Sequence, residues 1–217
     1  MNVLFIGNSF TYFNDMDKLF EGLCRENGHD VTAFRVTKGG RKMIRYLDPE
    51  DPITAQLEAM VRERHYDICF LQEQSLLPIL DFDTFLAGMT HVKRMVGNQA
   101  DKFILYATWA RKLGSPDLET YGWTRQQMTQ DLHNAYCQVG EALDMAVSPV
   151  GHSFWHVTCN APQIELYRPD LYHPSYLGSC LAALTHYRTV FGAYPENTAS
   201  LALPEETLTV FRAAVCQ

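Results

Sequence analysis

The sequence predicts an α/β fold, a mostly parallel five-stranded sheet with helices on both faces. Three observations predict it. Short apolar or β-branched runs alternate with amphipathic stretches of helical spacing over about 150 residues. Several of those runs stop abruptly at small or polar turn-forming residues, as strands buried on both faces do at a sheet edge. The chain has 217 residues, 47% of them hydrophobic, which suits one well-buried domain, and no linker, repeat or low-complexity tract divides it.

Taken in order, the apolar run from Val3 to Ile6 is the first strand, and it breaks at Gly7-Asn8-Ser9-Phe10-Thr11. Asn14 and Asp15 can cap a helix whose Met16, Leu19, Phe20 and Leu23 share one face, and Gly28 ends it. Residues 31–36 have the β-branched content of a second strand, running into Thr37-Lys38-Gly39-Gly40. Residues 51–64 place Ile53, Leu57, Met60 and Val61 on one helical face. Residues 66–71 are a nearly all-apolar strand that stops at Gln72-Glu73-Gln74-Ser75. Helix 82–96, strand 102–108, helix 124–143 and strand 145–150 come next. Residues 114–121, with Gly, Ser and Pro together, and residues 160–170, with two prolines, read as loops. Residues 174–191 read as a helix with Pro174 in its first turn, where the missing N–H costs nothing. Residues 205–215 form a short last helix.

Composition excludes several classes of function. The formal net charge is −7, and the one basic knot, 38–45, is short, so no nucleic-acid partner is expected. No apolar run approaches the roughly 20 residues of a membrane helix, so no membrane partner is expected either. The first strand begins at Asn2, which leaves no room for a signal core; a cytoplasmic protein is expected, or a secreted one if a leader has been removed. The six cysteines (24, 69, 137, 159, 180 and 216) are scattered singly, which fits reduced core residues and not a zinc or iron–sulfur site. His152 and His156 are four apart but have no acidic residue between them, and no metal is expected there.

In a parallel sheet the strand ends collect at one edge, so Ser9, Gly39-Gly40 and the 72–75 cluster should meet there. Asp170-Leu171-Tyr172-His173-Pro174 lies on the loop before the last long helix. An aspartate and a histidine three residues apart on a turn can lie side by side, the carboxylate holding one ring nitrogen while the other faces outward. That is how the base of a serine nucleophile is oriented.

Together, Gly7-Asn8-Ser9-Phe10-Thr11 and Asp170-x-x-His173-Pro174-Ser175-x-x-Gly178 resemble the SGNH hydrolase (GDSL-type esterase) superfamily over nearly the whole chain. The resemblance implies a flavodoxin-like, three-layer α/β/α sandwich and a catalytic triad of Ser9, Asp170 and His173, with no cofactor. It implies an oxyanion hole from the Ser9 N–H, a glycine N–H after the second strand and a side-chain amide after the third. Gly40 fits the glycine role, with Gly39 the near alternative. Asn8 stands where the superfamily usually has Asp, and it shapes the turn. The amide role falls on Gln72, with Gln74 the alternative, because Gln72-Glu73-Gln74-Ser75 contains no Asn; it is similar to the Gln-Gly-Glu-Ser block of sialate O-acetylesterase and acetylxylan-esterase-like members. Glutamine offers the same N–H donors on a longer stem.

The expected reaction is hydrolysis of a short acyl ester, acetyl in particular, by way of an acyl-enzyme, with a small-molecule or carbohydrate ester as substrate. Tyr12, Trp109 and Tyr172 are the candidate substrate-binding aromatics, with Trp155 a further ring near the strand ends. The alternatives are a lipase-like or thioesterase acylhydrolase and a non-catalytic, flavodoxin-like ligand binder. The latter leaves Asp170-x-x-His173 unexplained.

Overall fold

The computed structural model describes residues 1–216. Its centre is a five-stranded, all-parallel sheet in the order β2-β1-β3-β4-β5: β1 Asn2–Gly7, β2 Thr32–Thr37, β3 Tyr66–Leu71, β4 Ala100–Tyr106 and β5 Ala146–Ser148. Val3 of β1 lies opposite Ala33 of β2 and Ile68 of β3, and Ile6 opposite Val36 and Leu71. Because side chains alternate along a strand, the continuous apolar runs feed two cores at once. Val3, Phe5, Ile68, Phe70, Ile104 and Tyr106 belong to one core, closed by α2 (Met16–Glu26), α8 (Val150–Asn160), α9 (Tyr176–Phe191) and α10 (Glu205–Val215). Leu4, Ile6, Cys69, Leu71 and Leu105 belong to the other, closed by α3 (Pro52–Glu63), α5 (Phe82–Val96) and α7 (Arg125–Leu143). The three-layer α/β/α expectation therefore holds.

Two short helices sit on the carboxyl edge of the sheet: α1 (Ser9–Tyr12) after β1 and α4 (Leu77–Leu80) after β3. Another helix there, α6 (Pro116–Tyr121), packs Leu118 with Ala110, Met128 and Leu132 in a third, smaller apolar cluster. Residues 114–121 are thus not a plain loop. Pro116, one of the residues that suggest a loop, stands at the first helical turn and is a helix start signal, and Gly122, at φ +66°, ends the helix.

The remaining differences have local causes. β4 ends at Tyr106, because the Ala107 carbonyl accepts the N–H of Gly151 at the start of α8. β5 stops at Ser148, because Pro149 has no N–H for the ladder and α8, which the sequence pattern did not predict, begins at once. Pro174 precedes α9 instead of entering it: it bridges to Tyr167, and Ser175 is the cap, its Oγ accepting from Gly178 N–H at 3.2 Å. At the start of α2, Asp15 occupies the capping position without a side-chain cap bond. All six cysteines are unpaired. Among the described residues no helix is long and apolar enough to cross a membrane.

Candidate active site

The sheet order reverses direction at β1, whose neighbours are β2 and β3, and the crevice at such a reversal is where open α/β sheets take ligands. β1 ends at Gly7, where a Cβ would stand 2.5 Å from Thr11 Oγ1 and 2.6 Å from Gln72 Oε1, so no side chain fits. Asn8 then turns the chain. Its Oδ1 accepts from Phe10 N–H at 3.2 Å and its Nδ2 donates to Arg41 O at 3.2 Å and Glu73 O at 3.4 Å. One residue later, Ser9 opens α1 with its N–H bonded to no protein group.

Ser9 Oγ lies 2.8 Å from His173 Nε2, and His173 Nδ1 lies 2.9 Å from Asp170 Oδ2. An ionised carboxylate only accepts, so Nδ1 carries the proton and Nε2 is free to accept from the hydroxyl. Asp170 Oδ1 accepts from the N–H groups of Tyr172 at 3.2 Å and His173 at 2.9 Å. Partial burial opposes its ionisation, but the bonds from the His173 N–H and imidazole and from the Tyr172 N–H outweigh that and hold the carboxyl below its ordinary range. The imidazole sits among the rings of Phe10, Phe13 and Tyr172, with centroids 5.8, 4.5 and 4.1 Å away. Asn14 ties this loop to the segment that follows Ser9: its Nδ2 donates to Pro174 O at 3.3 Å, Ser175 O at 3.0 Å and Ser179 Oγ at 2.8 Å. The amide expected to cap a helix is thus used across the site.

A cleft of about 460 Å³ opens over Ser9 and His173, lined also by Tyr12, Phe13, Gly39, Gly40, Gln74, Ser75, Arg111, Asp117 and Tyr172. A larger groove, about 1120 Å³, lies at the amino edge of the strands around Asp67, Asp101 and Lys102, remote from Ser9. Neither Gly39 nor Gly40 uses its N–H within the protein, and Gly40 holds φ +65°, a conformation side chains disfavour.

The expectation for Gln72 does not survive. Its side chain is buried outside the cleft: Oε1 accepts from Asn8 N–H at 2.9 Å and Thr11 Oγ1 at 3.0 Å, and Nε2 donates to Glu73 O. Gln74 lines the cleft instead. Its Oε1 accepts from Leu76 and Leu77 N–H, both at 3.0 Å, which leaves Nε2 without a protein partner. Between them, fully buried Glu73 accepts from Gln74 N–H at 2.6 Å and from Met43 N–H, and burial pushes its carboxyl up to about 7.

Tyr12 and Tyr172 line the cleft, but Trp109 does not. Trp109 is fully buried, stacked between Phe10 at 4.4 Å and Phe154 at 4.1 Å, and its Nε1 donates to Tyr172 O at 3.0 Å. It supports the 170–174 loop from beneath. Trp155 is away from the cleft, under the Arg125 guanidinium. His152 stacks on His133 at 3.9 Å, and no three His, Cys, Asp or Glu side chains among the described residues form a metal-binding group. Arg111 and Asp117 belong to the cleft and are not among the residues singled out by sequence. Arg111 lies on the connection after β4, where the logic of strand ends would have found it; Asp117 needed α6 to be recognised.

No protein-family model matches the chain, and no curated protein sequence matches it. Solved structures do. A candidate SGNH hydrolase from Slackia heliotrinireducens is 25% identical over 88% of this chain and 98% of its own, with a TM-score of 0.76. A DUF4886 family protein from Bacteroides uniformis is 15% identical over 99% of this chain and 93% of its own, at 0.79. A variant of an acetyl xylan esterase from Geobacillus stearothermophilus is 15% identical over 88% and 94%, at 0.61. At such identities the last two speak for the fold.

Proposed function

We propose that this chain, an ester hydrolase of the SGNH superfamily, is a serine esterase that removes a short acyl group, acetyl in particular, from an alcohol of carbohydrate type. The observation that carries the proposal is the unbroken run from Asp170 through His173 to Ser9, with contacts of 2.9 and 2.8 Å, opening on a cleft. Ser9 Oγ attacks the ester carbonyl as its proton passes to His173 Nε2, and Asp170 stabilises the resulting imidazolium. The Ser9 and Gly40 N–H groups and Gln74 Nε2, three donors with no protein partner, receive the oxyanion. Collapse expels the alcohol, protonated by His173, and water then repeats the sequence on the acyl-serine to release the acid.

A small cleft, its aromatic walls interrupted by Gln74, Ser75, Arg111 and Asp117, favours a short acyl group, since a long chain needs continuous apolar wall. The carbohydrate part draws on the Gln72–Ser75 block and on the likeness to acetyl xylan esterases. Purified protein is expected to hydrolyse p-nitrophenyl acetate and to be labelled by a serine-directed fluorophosphonate. Ser9→Ala should abolish labelling and lower turnover by about 10⁶-fold; full activity in that variant refutes the mechanism. In a panel of acyl esters, rates on octanoyl esters equal to or above those on acetyl esters would reject the short-acyl preference.

A further inference from the structure

The polar groups of the cleft fall into two sets. Around Ser9 are the N–H donors of Ser9, Gly40 and Gln74 that suit a developing oxyanion. The other set is centred on Arg111. Its side chain is only 4% exposed, yet every partner of its guanidinium is a cleft residue: Nε donates to Asp117 Oδ2 at 2.6 Å, Nη2 to Ser75 Oγ at 3.0 Å, and the group lies 4.9 Å above the Tyr172 ring. Nη1 is buried with no partner. Asp117 is 37% exposed and spends one oxygen on Arg111, leaving Oδ1 free. The hydroxyls of Tyr12 and Tyr172 are likewise unpaired within the protein.

We propose that Arg111, Asp117 and the Tyr172 ring form the alcohol-side subsite of this cleft, shaped for an uncharged, polyhydroxylated leaving group; the proposal rests on the esterase reading above. A carboxylate and a guanidinium already joined present acceptor and donor together with no net charge, which matches hydroxyl groups that both give and take hydrogen bonds. An aromatic ring beside them supplies the apolar face that a sugar ring covers. A fatty acyl chain laid here would strip water from both charged groups and replace none of their hydrogen bonds. An anionic ligand would meet the Asp117 carboxylate and a chain of formal charge −7. Leu118, in the small cluster with Ala110, Met128 and Leu132, anchors α6 and so fixes Asp117 against the cleft.

The test compares kcat/KM for a mono-O-acetylated methyl xyloside, whose other hydroxyls are free, with kcat/KM for p-nitrophenyl acetate, in the unaltered chain and in Asp117→Asn and Asp117→Ala. Asp117→Asn keeps an oxygen for the buried Arg111 guanidinium and is the milder change; melting temperatures of both variants check that they fold. The ratio of xyloside to aryl acetate is expected to fall about tenfold or more in both variants. A ratio within about twofold of the unaltered chain overturns the subsite. So does failure of the unaltered chain to deacetylate the xyloside, or a preference of about tenfold for an acetylated uronate over the neutral sugar. Loss of the ratio effect with Ser9 still labelled rejects the subsite and leaves the esterase reading standing; absence of labelling and of aryl-acetate hydrolysis removes both.

Discussion

At the end of β3, Gln72 and Gln74 are the same side chain in opposite surroundings. Gln72 is consumed by Asn8 N–H, the Thr11 hydroxyl and its own neighbour's carbonyl, and Gln74 keeps its amide nitrogen free over the cleft. Gln74→Ala should therefore lower kcat by about 10²- to 10³-fold with KM little moved. Gln72→Ala should instead lower the melting temperature by several degrees, because it strands a buried N–H and a buried hydroxyl. Steady-state kinetics and thermal melts of the two variants separate the roles; the reverse pattern would return the donor to Gln72. The sequence points to both residues but cannot choose between them, since the turn after the strand decides which amide faces the cleft. Ser9, Asp170 and His173 are legible for the opposite reason: a serine after a buried strand and an aspartate three residues before a histidine are local patterns, each set by a single turn. Trp109 is not, because a ring beside a site and a ring beneath it carry the same letter.

At the scale of elements, the connection from α1 to α2 is the hinge of the site. Asn14 and Asp15 both adopt left-handed backbone, at φ 56° and 51°, which costs non-glycine residues about 1 kcal/mol or more each. The Asn14 amide uses that geometry to reach Pro174, Ser175 and Ser179, so the element bearing Ser9 is fastened to the one bearing His173. Asn14→Gly relieves the backbone and removes the fastening. It is expected to lower kcat about tenfold or more and to slow fluorophosphonate labelling, with KM nearly constant. A variant that labels and turns over like the unaltered chain would show that packing alone aligns the site. Strand β3 and helices α5 and α10 are legible to the residue, because burial on both faces or a regular apolar stripe marks them. α6 and α8 are not: α6 is a single short helix beginning at Pro116, and α8 follows β5 with no connecting loop, so Pro149 reads as the end of a strand without specifying the helix beyond it.

The stability of the whole molecule carries the imprint of Glu73. Desolvation raises its carboxyl from 4.5 to about 7, while the N–H groups of Gln74 and Met43 and the charge of Lys42 pull the other way; buried Tyr136 faces it from α7. A folded-state value above the unfolded one means that the folded protein binds the proton more tightly. The stabilisation is complete below about pH 4.5, declines as pH rises towards 7, and is absent above that, a change of roughly 3 kcal/mol. Urea denaturation across this range should show the unaltered chain losing ground to Glu73→Gln between these limits, with other carboxylates cancelling in the difference. Parallel curves for the two proteins would refute it. The joining of Ser9 to His173 across 164 residues has a further consequence, in time. A ribosome adding about 5–20 residues per second delivers Ser9 some ten to thirty seconds before His173. On the proposed mechanism, a nascent or truncated chain that ends short of His173 carries an inert serine, and hydrolysis begins only once most of the sequence has been made.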